Sequence, residues 1–100
     1  MLIKAGVSIC KLKRPIRRAL NTIARVYDSF GEELVITSTF EGNHSPSSLH
    51  YAHLAIDCRL LKFNQGQNKS LVRKLKKELG KDYDVILEGT HIHIEYDPKE

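Results

Sequence analysis

An α+β fold, a small antiparallel sheet carrying two helices, is what the sequence predicts, and three observations predict it. Two segments repeat apolar residues at helical spacing, several short segments alternate apolar and polar residues, and a two-residue Gly-Thr connection joins the last two of those short segments. One hundred residues suit a single core, so the whole of 1–100 is expected to form one domain.

The first helical segment is "PIRRALNTIARVYDSF", residues 15–30, with Ile16, Leu20, Ile23, Tyr27 and Phe30 on one stripe. Pro15 fits a first helical turn and Gly31 ends the helix. "ELVITSTF" (33–40), rich in β-branched residues, reads as a strand, and "EGNHSPSSL" (41–49) as a loop. In "HLAIDCRL" (53–60) Leu54, Ile56, Cys58 and Leu60 alternate with His53, Ala55, Asp57 and Arg59, which is strand patterning with Asp57 on the less apolar face. "FNQGQN" (63–68) is a turn. "KSLVRKLKKELG" (69–80) is the second helix, with Leu71, Val72, Leu75 and Leu79 inward and Gly80 at its end. "YDVILE" (83–88) and "HIHIEY" (91–96) form a hairpin across Gly89 and Thr90, and Pro98 closes the second strand.

Bulk properties exclude some functions. No apolar run approaches the roughly 20 residues that span a bilayer. The start, "MLIKAGVSICKLKR", lacks the apolar core and cleavage site of a signal peptide. Cys10 and Cys58 share no motif and suit a reduced thiol state better than a disulfide framework. The net charge of +4 gathers in "KLKRPIRR" (11–18) and "KSLVRKLKKELGK" (69–81), which read either as solvated helix faces or as attraction to a polyanion. A nucleic-acid binder would need aromatic platforms or a recognised motif beside that charge, and the seven aromatic residues are scattered.

The hairpin concentrates chemistry. His91 and His93 are two apart on a strand and share a face. Glu88 flanks the two-residue connection opposite His91, which puts it on that face too. Ile92 and Ile94 turn the other way, with Ile86 expected beside them. Further up the chain His50 and Asp57 are seven residues apart, about 23 Å if fully extended at ~3.3 Å per residue. They can meet one ion only if the chain bends sharply after His50. Two imidazoles, one carboxylate and a fourth position open to water make the arrangement of a catalytic zinc site. A closed structural site would recruit cysteines, and Cys58 alternates to the face opposite Asp57.

"SLHYAHLAID" together with "EGTHIHIE" resembles the LAS-type zinc metallopeptidases, which join D-Ala-D-Ala carboxypeptidases, phage and bacterial cell-wall endopeptidases and the signalling domain of hedgehog proteins. Their pattern HxxGxAxD is matched by His50, Ala55 and Asp57, and the terminal zinc histidine of their hairpin by His93. "SLHY", "HIH" and His44 six residues before His50 are closest to the hedgehog-like branch, and the similarity runs over about 33–96. The resemblance implies a hedgehog/D-Ala-D-Ala-peptidase-like fold with one Zn2+ ion held by His50, Asp57 and His93. Glu88 would be the general base, with a spacing to the last histidine one residue shorter than in hedgehog proteins. His91 would stabilise the oxyanion or relay a proton, and His44 would line the substrate cleft.

Two departures shape that expectation. His53 stands where the pattern has glycine, as either an alternative ligand or an exposed strand residue. "STFEG" replaces the arginine-bearing "SGYR" that grips a substrate's terminal carboxylate, so Glu41 speaks for an endopeptidase over a carboxypeptidase. The implied function is hydrolysis of peptidoglycan stem or cross-link peptides by metal-activated water. The alternative is a non-catalytic hedgehog-like zinc domain that binds a protein partner or a wall fragment. The expected partner is a peptidoglycan peptide, not nucleic acid or membrane, and the chain is expected to act as a monomer. With no signal peptide it would be made in the cytoplasm and reach the wall through phage-type release or as a virion component.

Overall fold

A computed structural model describes residues 1–9, 12–39 and 54–98. The elements in chain order are β1 (Leu2–Ile3), α1 (Arg14–Ser29), β2 (Val35–Ser38), β3 (Ala55–Arg59), a single 3-10 turn at Gln65–Gln67, α2 (Asn68–Leu79), β4 (Tyr83–Leu87) and β5 (His91–Tyr96). The strands make one five-stranded sheet in the order β1-β2-β3-β5-β4. The expected α+β class holds. The sheet is antiparallel except at one edge, where β1 runs parallel to β2.

Both helices pack on one face of the sheet, and their stripes are why. Ile16, Leu20, Ile23 and Tyr27 of α1 and Leu71, Val72 and Leu75 of α2 are buried against Ile36, Ile56, Cys58, Val85, Ile92 and Ile94. Phe30 falls just past the end of α1 and is only partly buried against this core. Each helix stops where expected, at Gly31 (φ 78°) and Gly80 (φ 85°), a left-handed backbone that costs glycine little. Tyr27 joins helix to sheet through its hydroxyl, which donates to the Arg59 carbonyl at 2.8 Å. Burial first, then the neighbouring Cys58, pushes that phenol far above its ordinary pKa.

Glu32 closes the connection between α1 and the later chain. Its carboxylate accepts the backbone N–H groups of Lys62, Phe63 and Asn64 at 2.6, 2.9 and 3.1 Å. Slight burial raises the carboxyl's pKa, but these donors outweigh it and hold the group below the usual carboxylate range. A depressed folded pKa gives stability that is present above the unfolded pKa and lost as pH falls through the folded one. Glu32→Gln is therefore expected to cost about 1–2 kcal/mol at neutral pH, reduced by the site's openness to solvent, with the gap to wild type closing in acid. Urea midpoints across a pH series check both parts.

Between β2 and β3 the register slips. Ile36 pairs with Cys58 but Ser38 with Asp57, so two residues advance on β2 for one on β3. This bulge lies beside Asp57, where the Thr37 hydroxyl donates to the Asp57 carbonyl at 3.3 Å. Bulges re-aim side chains and are common next to active sites.

Candidate metal centre

Strand alternation sorts the two middle strands into an apolar face and a polar one. Ile56, Cys58, Ile92 and Ile94 are all fully buried under the helices. Burial, with the Asp57 charge adding to it, pushes the Cys58 thiol far above its ordinary pKa, so it is a packing residue. Asp57, His91, His93 and Glu95 therefore turn to the other face. The β3–β5 register sets Asp57 directly opposite His93 and Arg59 opposite His91.

The pair makes contact. His93 Nδ1 lies 3.0 Å from Asp57 Oδ1, and the far ring nitrogen, Nε2, lies 3.0 Å from Glu95 Oε1. His91 Nε2 is 3.6 Å from the same Asp57 oxygen, and its Nδ1 meets the Thr90 hydroxyl at 3.0 Å. The hydrogen bond with Asp57 raises the His93 pKa, burial pulls it down, and the charges of Asp57 and Glu95 carry the net shift upward. The position thus attracts a cation. A proton on the ring serves that need.

Asp57, His91 and His93 do not by themselves bring three ligand atoms within 4.8 Å of one another. Ligand atoms around a tetrahedral zinc sit about 3.3 Å apart, given bonds of ~2.0–2.1 Å. Of the ligands that the resemblance implies, Asp57 and His93 are described, and their facing atoms lie 3.0 Å apart, a hydrogen-bonding distance. Metal-bound histidines nearly always present their second nitrogen to a carboxylate or carbonyl, which fixes tautomer and ring orientation. Glu95 stands at the second ring nitrogen of His93.

Of the residues singled out from the sequence, Asp57, His91 and His93 come together. Glu88 lies on their face, with its N–H donated to the His91 carbonyl at 2.9 Å and its side chain exposed. His44, His50 and His53 lie outside the described residues, as does Glu41. Ile86 is a correction. It pairs with His93, not with the buried isoleucines, and is 42% exposed on the histidine face. Val85 and Leu87 take the places beside Ile94 and Ile92.

Sequence reasoning missed Glu95, although the two-residue period that joined His91 to His93 extends to it. It also missed the acidic neighbours of Glu95. Asp84, Glu95 and Asp97 offer oxygen atoms within 4.8 Å of one another.

Fold and site together define a two-layer α+β protein with a histidine–carboxylate centre in the middle of its sheet. No protein-family model and no curated protein matches the chain. Among the described residues no helix is long and apolar enough to cross a membrane.

Proposed function

We propose that this protein is a zinc-dependent peptidase that hydrolyses peptidoglycan stem or cross-link peptides, as an endopeptidase rather than a D-Ala-D-Ala carboxypeptidase. The observation that carries the reading is the His93 ring, set between Asp57 at one nitrogen and Glu95 at the other. It is supported by the match of His50, Ala55, Asp57 and His93 to the LAS-type pattern, and His50 would be the third ligand.

Bound between these residues, zinc would supply polarisation of the scissile carbonyl and the acidity that turns water into a nucleophile near neutral pH. The chain's own groups do the rest. Asp57 and His93 fix the geometry, and Glu95 holds the His93 ring in one orientation. Glu88 accepts the proton of the attacking water and passes it to the leaving amine. His91, steadied by Thr90, offers a hydrogen bond to the developing oxyanion. On the resemblance, His44 would line the cleft. The basic helical surface suits an anionic wall polymer, which the enzyme would meet after phage-type release or as part of a virion.

Elemental analysis of protein purified without added metal, paired with an assay for new amino groups released from purified peptidoglycan, tests this. One zinc per chain and release that stops with a chelator are expected. Protein that carries zinc and cleaves no peptidoglycan chemotype would be a zinc-held binding module. Protein with no affinity for zinc would remove the reading altogether.

A further inference from the structure

The far edge of the sheet carries features that the histidine centre does not use. β4 is the terminal strand, and among the described residues no strand pairs with its outer side. Its backbone polarity can be assigned. Asp97 donates its N–H to the Asp82 carbonyl and Glu88 donates to the His91 carbonyl, so even-numbered residues of this stretch turn their backbone groups toward β5. Val85 and Leu87 then present N–H and C=O outward.

Two adjoining depressions, about 500 and 380 Å³, follow that edge and share Lys76, Val85 and Ile86, forming a trough along β4. Its helical wall is basic. Lys69, Arg73, Lys76 and Lys81 line the trough against one carboxylate, Asp84, four cations to one anion. All four cations are exposed. Lys69, Arg73 and Lys76 fall at i, i+4 and i+7 of α2, so one helix face delivers three of them. On the strand side Ile86 and Leu87 are 42% and 36% exposed.

We infer that this trough docks an extended acidic peptide segment of a protein partner, which adds to β4 as a sixth strand. Strand addition gives the outward N–H and C=O groups of Val85 and Leu87 their partners. Because a strand alternates its side chains, acidic residues would turn toward α2 and apolar residues would cover Ile86. A phosphate chain offers acceptors only, so it leaves the carbonyls unmet and Ile86 uncovered. A second copy paired through the same edge would bring two sets of four cations together. The inference stands apart from the metal reading, since none of these residues belongs to the proposed ligand set or catalytic groups.

The test titrates isotope-labelled protein with a capped peptide about as long as β4 that alternates glutamate and valine. Saturable binding is expected, with slowed hydrogen exchange at the Val85 and Leu87 amides. The Arg73→Glu, Lys76→Glu double variant, its fold checked by the remaining amide signals, should weaken binding at least about tenfold, given two reversed charges at the contact. A lysine–valine peptide should not bind. Absence of glutamate–valine binding overturns the inference, and so does binding that leaves the two amides unprotected or ignores the charge reversal. Oligothymidylate that binds the same face without protecting those amides would assign the trough to nucleic acid instead. Concentration-dependent dimerisation that protects them without peptide would assign it to a second copy.

Discussion

Glu88→Gln protein is expected to keep its zinc and lose about 10²–10⁴-fold in the rate of peptide hydrolysis, the span of a missing general acid–base. The substitution retains shape and hydrogen-bonding capacity while removing basicity. Glu88 is exposed at the mouth of the hairpin, and its structural bond is a backbone one to His91, which glutamine preserves. Folding should therefore be untouched, and the rate loss would report chemistry alone. Single-turnover hydrolysis of purified peptidoglycan beside zinc content makes the comparison. Full activity in Glu88→Gln would move the base role to another group, with His91 first in line because it shares the face and approaches Asp57.

The second large effect is on metal affinity, and it should be graded by how each residue meets the ion. His93→Ala and His50→Ala each remove a proposed ligand and are expected to abolish stoichiometric zinc. Glu95→Gln leaves the ligands in place but weakens the hold on the His93 ring, so a loss of about 10–100-fold in affinity is expected. His53→Ala should change metal content little. Competition titration against a chromogenic chelator ranks the four. Equal loss in His53→Ala and His50→Ala would make His53 a ligand. An unchanged affinity in Glu95→Gln would show that the Glu95 contact serves only the protonated ring.

How much of this was legible in the chain follows from the range of the interactions involved. The helices were, because Ile16 to Tyr27 and Leu71 to Leu75 repeat at a local period and glycine marks each end. The hairpin was also, since a two-residue connection fixes its own register, and β5 begins and ends at His91 and Tyr96 as its pattern predicts. The same parity that placed Glu88 with the histidines applies to Ile86, two residues earlier. Its hydrophobicity drew it toward the core in the sequence reading, and the register with His93 overrules that. β1 was illegible, because two residues carry no period and a parallel pairing with β2 depends on a partner more than thirty residues away.

By itself the sequence determined which residues could share a face: His91 with His93 and Glu88, and Asp57 apart from Cys58. Such facts need only the two-residue repeat of an extended backbone. Only the tertiary structure decided that Asp57 lies opposite His93 at 3.0 Å, that Glu95 holds the other side of that ring, and that the edge of β4 lies beside the basic face of α2. Those proximities come from the pairing of β3 with β5 and the packing of α2 against β4. Both join segments distant in the chain through buried apolar area and ladder hydrogen bonds, which set register globally and leave no local signature in the polar residues they bring together.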